Sequence, residues 1–368
     1  MKSLRMLPVV AGLSLAVVSS AAAQQYSARQ TGDIVRLEDT KNQTVVSVQT
    51  FAGNFVYEMK VKGQEVLWFP AASIEDFRAK PSTSGVPFMG PWINRLDEQA
   101  FYANGKKYNF DMELGNVRGA VPLHGLLTTA PGWKIVEAKA DAKSAWVTSR
   151  LEFYRNPMWM AQWPFAHVVE ITQRLQDGIL EVRTRIENLS SEPMPAMIGY
   201  HSYFKLTDSL RNDWTISVGA NSHVILQPNM IPTGQLEPIE TKIPNHLSAA
   251  LKEFSFDDCF TDLARDAQGW AVVTIKGKKQ SLDVMMDRNY PAFVLYGPHP
   301  DAPVPQRAGA PPPAPNAPRP DRNWLAIEPM AGISNAPNLV HKGLYKELQS
   351  VPPGKTWEAT FRVRPSGF

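Results

Sequence analysis

Cysteine is all but missing from this 368-residue chain: Cys259 stands alone, so no disulfide can form within it and a zinc site of several thiolates is excluded. An excess of charge of one sign is missing too. The formal balance is +3, or +1 without Lys2 and Arg5 near the N-terminus, so nothing points to the clustered basic face that nucleic acid requires. The seven histidines show no H-x-H or H-x-x-H spacing of the kind that ligates a metal. Beyond residue 23 no segment is apolar enough to span a bilayer. Sustained helical periodicity is also lacking; a single short helix fits the pattern, around His246 to Phe254.

What is present begins with a three-part leader. Lys2 and Arg5 precede an apolar stretch from Leu7 to about Val18, and Ser19-Ser20-Ala21-Ala22-Ala23 leads to Gln24. This layout predicts a cleaved secretory signal at 1–23 and a periplasmic or secreted protein; the apolar stretch is shorter than the roughly 20 residues a membrane anchor needs. The remaining 345 residues, 24–368, suffice for one large all-β domain. An exported chain with no disulfide must be held by core packing.

Period-two alternation supplies the fold class. Leu180, Val182, Thr184 and Ile186 alternate with Glu181, Arg183, Arg185 and Glu187, and Trp357, Ala359, Phe361 and Val363 with Glu358, Thr360, Arg362 and Arg364. Shorter β-rich runs lie near Thr44 to Val48, Phe55 to Met59, Val168 to Ile171, Ala271 to Ile275 and Ala292 to Tyr296. Asn104-Gly105, Asp177-Gly178 and Lys276-Gly277 are turn points between runs. The pattern predicts a many-stranded antiparallel β-sandwich. The stretch Pro298 to Arg322, with ten prolines and Val304 as its one large aliphatic residue, reads as an exposed loop inserted into the domain, or else as a linker. Trp324-Leu325-Ala326-Ile327 after it reads as a strand returning to the same core.

Several separated segments carry polar groups that a sandwich can bring together. In Gly90-Pro91-Trp92-Ile93-Asn94-Arg95-Leu96, Arg95 offers a fork of donors suited to sugar oxygens or to a surface ion pair. In Pro122-Leu123-His124-Gly125, the glycine lets the backbone turn and leaves the imidazole exposed on a loop, where many histidines are ordinary polar residues. In Gly199-Tyr200-His201-Ser202-Tyr203-Phe204-Lys205-Leu206, alternation puts His201, Tyr203 and Lys205 on one side. His201 suits proton transfer near neutral pH, or a core histidine bonded to a backbone carbonyl. Glu328 follows Trp324-Leu325-Ala326-Ile327 and precedes Pro329; a carboxylate there needs a pocket or a partner, so proton transfer and a structural ion pair both fit. Asp257 and Asp258, set among aromatics between Phe256 and Phe260, suit either sugar binding or a turn.

In this order the segments resemble the aldose 1-epimerase family, also called galactose mutarotases, over nearly the whole mature chain. Asn94-Arg95-Leu96, with Phe101 and Gly105-Lys106-Lys107-Tyr108 behind it, is similar to the family's N-R-I block, phenylalanine and G-K-x-Y turn. Leu123-His124-Gly125 resembles L-H-G-G, and His201 to Leu206 resembles H-S-Y-F-N-L. Asp257 and Phe260 fit D-x-x-F, and Glu328 fits the family's strand-ending glutamate, with Ala336-Pro337-Asn338 downstream. The resemblance implies an all-β fold, a large antiparallel sandwich of the galactose mutarotase-like supersandwich type. It also implies interconversion of the α and β anomers of a free aldose such as glucose or galactose, with no metal and no cofactor. By the same resemblance Glu328 takes the proton from the anomeric hydroxyl and His201 protonates the ring oxygen. Arg95, His124 and Asn94 then bind the sugar near the reacting atoms, and Asp257 binds its hydroxyls. Opening a hemiacetal needs one proton to leave O1 as another reaches O5, and a carboxylate beside an imidazole can do both.

Three departures bear on substrate. Leu126 stands where the family has the second glycine of L-H-G-G, Lys205 replaces an asparagine, and the proline-rich stretch immediately precedes the Glu328 strand. Gly85-Val86-Pro87-Phe88 and Pro91-Trp92 resemble hexose-6-phosphate 1-epimerases, which need basic residues aimed at a phosphate; export speaks against them. A non-catalytic carbohydrate-binding protein on the same fold is the main competing reading. A metal-dependent sugar isomerase or lyase using His124, His201 and Glu328 is a third.

Overall fold

The computed structural model describes residues 24–113, 117–302 and 321–368. The expected leader, 1–23, and residues 303–320 of the proline-rich stretch lie outside the described residues. The two most strongly alternating segments form the strands Ile179–Asn188 and Thr356–Ser366. They are antiparallel neighbours, with Leu180 opposite Val363, Val182 opposite Phe361 and Ile186 opposite Trp357. Two apolar faces read separately from the sequence thus form one buried surface.

These strands are central in a nine-stranded sheet. Its spatial order is Lys134–Ala140, Ala145–Glu152, His167–Gln176, Ile179–Asn188, Thr356–Ser366, Ser281–Met286, Ala271–Lys276, Thr215–Val218 and Ala249–Ala250. A second sheet orders Pro232–Pro238, Ala220–Leu226, Phe256–Leu263, Ala292–Gly297, Leu325–Met330, Gly199–Tyr200 and Phe88–Met89, and Ser202–Phe204 also pairs with Leu325–Met330. A five-stranded meander spans Tyr26–Thr31 to Gln64–Glu65. Leu37 and Val48 of the meander, Val182 and Phe361 of the nine-stranded sheet, and Phe293 and Ile327 of the second sheet share one core. The fold is all-β and antiparallel. Cys259 is a buried free thiol, so packing supplies the cohesion, at roughly 1.5–3 kcal/mol for each large apolar side chain buried.

Asn104-Gly105 and Asp177-Gly178 are two-residue hairpin turns. Both residues of each are left-handed, at φ 51 and 73° and at 50 and 74°, as the twist of a tight hairpin favours. Lys276-Gly277 instead opens a longer turn, closed by a hydrogen bond from the Gly277 N–H to the Gln280 carbonyl at 2.9 Å. The short helix expected near 246–254 does not form. Ala249 and Ala250 pair with Ile216 and Thr215 at the edge of the nine-stranded sheet, leaving only a 3-10 turn at Leu251–Glu253. Tertiary pairing overrides the weak local preference there. The strands flanking the proline-rich stretch, Ala292–Gly297 and Leu325–Met330, are direct neighbours. The stretch is also tied at its described ends, where the Arg322 Nη1 donates to the carbonyls of His299 at 2.9 Å and Ala302 at 2.6 Å.

Candidate active site

The candidate site arises where the second sheet interrupts its own ladder. Leu325–Met330 pairs with Gly199–Tyr200 through Met330 and with Ser202–Phe204 from Ile327 onward. Between these stretches Glu328 and Pro329 face Tyr200 and His201 without pairing. Pro329 has no N–H to offer, and the His201 N–H turns away to the Pro87 carbonyl at 3.0 Å. Glu328 therefore does not end its strand, as the sequence suggested; the strand continues through Pro329 to Met330. The lapse brings the His201 Nε2 within 3.0 Å of the Glu328 Oε1.

Both groups are almost wholly enclosed, at 6% and 1% exposure. Burial drives the His201 pKa down to about 3, with the nearby Arg95 charge adding to the fall. Burial also lifts the Glu328 carboxyl well above the usual range, reinforced by Asp257 and partly offset by Arg95. Charge on either partner is thus disfavoured, so burial favours a protonated Glu328 carboxyl 3.0 Å from a neutral His201 imidazole rather than a pair of settled ions. Moving that proton across the 3.0 Å contact yields a carboxylate and an imidazolium, which are a base and an acid side by side. The Glu328 Oε2 and the His201 Nδ1 are buried without a hydrogen-bond partner. Two orphaned polar atoms on one coupled pair call for a ligand or a bound solvent molecule.

Arg95, 8% exposed, flanks the pair. Its Nη1 donates to the Asn94 Oδ1 at 3.1 Å and its Nη2 to the Asp257 Oδ2 at 3.2 Å. The segment holding Asp257 is the strand Phe256–Leu263, not a turn. Alternation sends the two aspartates apart: Asp257 meets Arg95, while Asp258 meets the His223 Nε2 at 3.1 Å and the Lys242 Nζ at 2.7 Å. His124 is half-buried rather than openly exposed. Its ring lies edge-on to His201 at 5.3 Å, and its N–H donates to the Asn94 carbonyl at 2.9 Å. Gly125 makes this loop possible: at φ 67° an added Cβ would sit 2.1 Å from the Gly90 carbonyl oxygen. Leu126, in place of the second glycine, packs against the core, and its N–H also donates to Gly90, at 2.7 Å. All six expected residues, Glu328, His201, Arg95, His124, Asp257 and Asn94, are linked by these contacts.

Alternation put Tyr203 on the side of His201, but sequence reasoning missed the rest of the aromatic wall beside the pair. Tyr203 stacks on His201 at 4.6 Å, Tyr296 stands edge-on to it at 5.6 Å, and Trp68 and Trp324 pack on Tyr203 at 5.3 and 5.1 Å. Trp68 lies in Leu67-Trp68-Phe69, an apolar run with no period to show which side chain faces out. The Gly85-Val86-Pro87-Phe88 segment supports this wall, the Gly85 carbonyl accepting the Tyr203 N–H at 2.8 Å. Ala336-Pro337-Asn338 opens the helix Ala336–His341, from which the Asn338 Nδ2 donates to the carbonyls of Asp97 at 3.2 Å and Ala100 at 3.0 Å, bracing the loop after Arg95. Among the described residues no three His, Cys, Asp or Glu side chains gather as a metal would require.

The fold matches a known class. The family model described as aldose 1-epimerase matches residues 33–364, and the chain belongs to that family of sugar epimerases. Solved structures share the sandwich. A galactose mutarotase-like protein from Clostridium acetobutylicum is 20% identical, with a TM-score of 0.76 over 93% of this chain and 98% of that one. A GalM/aldose epimerase homologue from C. elegans is 18% identical, with a TM-score of 0.68 over 89% and 97%. A galactose 1-epimerase from Lactobacillus acidophilus is 13% identical, with a TM-score of 0.68 over 93% and 98%.

Proposed function

We propose that the protein is a cofactor-independent aldose 1-epimerase that interconverts the α and β anomers of a free aldose after export as a mature domain spanning 24–368. The observation that carries this reading is the buried Glu328–His201 pair at 3.0 Å, with one unpartnered polar atom on each residue. The two oxygens exchanged in ring opening are bonded to the same carbon, so the groups serving them must be neighbours. In the ionic form of the pair, Glu328 accepts the O1 proton while His201 delivers its proton to O5. The C1–O5 bond breaks to give the aldehyde, the C1–C2 bond rotates, and the reverse transfers close the ring on either face. Arg95 and His124 hold the sugar near these atoms, and Asp257, anchored by Arg95, accepts from its hydroxyls. Asn94 keeps Arg95 in place.

Polarimetry of freshly dissolved α-glucose or α-galactose with purified mature protein tests the activity. Acceleration that persists in a chelator is expected; decay at the spontaneous rate with both sugars would refute it. Export is tested by N-terminal sequencing of the protein recovered from outside the cytoplasm, with Gln24 expected as the first residue.

A further inference from the structure

Two ring contacts away from His201 lies a second cavity, of about 280 Å³, lined among others by Trp68, Phe69, Ser73, Glu65, Lys205 and Asp321. Backbone pairing builds it. The Trp68 N–H donates to the Tyr203 carbonyl and the Lys205 N–H to the Val66 carbonyl, both at 3.0 Å, so Trp68 and Lys205 sit side by side along the strand Ser202–Phe204 that follows His201. Ring contacts of 4.6 Å (His201 to Tyr203) and 5.3 Å (Tyr203 to Trp68) bridge the two places. Trp68 is also fixed by packing on Trp324 at 5.2 Å and by donating its indole N–H to the Asp321 Oδ2 at 3.1 Å.

The cavity's chemistry restricts its occupant. Its volume lies just under the range typical of drug-sized ligands, which suits one small cyclic unit. Glu65 is held by Lys60 at 3.1 Å, and among the described residues the Lys205 ammonium has no hydrogen bond or ion pair. Lys60 pairs with both Glu58 and Glu65, which leaves Lys205 and Asp321 as one ammonium and one carboxylate on the lining rather than the cluster of cations a phosphate calls for. A fixed indole beside an ammonium and carboxylates instead suits a neutral ring with one apolar face and several hydroxyls.

We infer that the substrate is the reducing end of an oligosaccharide, whose next sugar unit rests on Trp68 and hydrogen-bonds Lys205 and Asp321. This rests on the proposed function only for the placement of the reducing end at Glu328 and His201. Calorimetric titration with glucose and with maltose, cellobiose and melibiose, all glucose-ended, tests it. At least one disaccharide is expected to bind roughly tenfold more tightly than glucose. Trp68→Ala should bring the ratio of disaccharide to glucose affinity down to about one, and Lys205→Ala should reduce that ratio by roughly threefold or more, which covers a Trp68 variant that fails to fold. No gain with any of the three, or equal losses for glucose and disaccharide in the variants, overturns the inference. The gain without mutarotation would sink only the epimerase reading; mutarotation without the gain would sink only this one.

Discussion

Replacing Glu328 by glutamine removes the base and little else. The amide keeps the carboxyl's shape and can donate to the His201 Nε2, which now lies 3.0 Å from the Glu328 Oε1. Positioned proton transfer contributes about 10²–10⁴-fold to a rate, or about 2.7–5.4 kcal/mol of barrier at 1.36 kcal/mol per tenfold. Initial rates by polarimetry, corrected for spontaneous mutarotation, should show kcat reduced by that factor. KM should hold within about twofold, because Arg95, His124 and Asp257 are untouched. Stability should move in the opposite direction. Burial raises the Glu328 pKa above its unfolded value of 4.5, so its contribution is full below that value and is lost as pH rises through the folded one. His201, lowered from 6.5 to about 3, contributes fully above 6.5 and loses its contribution as pH falls towards 3. At pH about 8 only the Glu328 penalty remains, so the glutamine variant should melt no lower than wild type there. Retention of kcat within tenfold, or a clearly lower Tm at that pH, would refute the reasoning.

His201→Asn should slow kcat by a similar factor, and the double variant should be little worse than either single one, since acid and base act as a unit; additive losses in polarimetry would separate their roles. Because burial lowers the His201 pKa to about 3, the pH profile of kcat/KM should show no imidazole break near 6.5. A break near 6.5 in the pH profile would instead report an ordinary exposed imidazole. Asp257→Asn weakens the 3.2 Å anchor of Arg95 and should raise KM by roughly tenfold with kcat little changed; a fall in kcat alone would contradict a binding role. Gly125→Ala forces a Cβ to within 2.1 Å of the Gly90 oxygen at φ 67° and should cost roughly 1–3 kcal/mol or more in urea unfolding; an unchanged midpoint would contradict the close approach.

What could be read from the chain was whatever has a local period. Alternation alone placed Leu180 to Ile186 and Trp357 to Val363 on buried faces, and it put His201, Tyr203 and Lys205 on one side of their strand. It also held an unused clue: adjacent strand residues face opposite ways, so Asp257 and Asp258 could not share a function once their segment was a strand rather than a turn. Trp68 and the Ala336–His341 helix were beyond this reach. Their roles depend on contacts with Tyr203 and with the loop at Asp97 to Ala100, far away in sequence.

The reactive pair belongs to the same category, and it shows why motif and mechanism are joined here. A regular ladder between the His201 and Glu328 segments would have satisfied both backbones and left no reason for either side chain to approach the other in a gap. Pro329 cannot donate, and the His201 N–H goes to the Pro87 carbonyl on the other edge. The sheet therefore parts at one place while Met330 and Ile327 hold it closed on either side. Ionisable groups lodged in that gap are buried by the surrounding sandwich, and burial is what sets the Glu328 and His201 pKa values moving in opposite directions, so that the pair's one labile proton rests on Glu328. On this argument Pro329 is a positioning residue. Pro329→Ala restores a donor opposite the His201 segment and should pull the ladder shut, lowering kcat while raising or preserving Tm. A variant with unchanged kcat would mean that the gap is held by the Pro87 side alone.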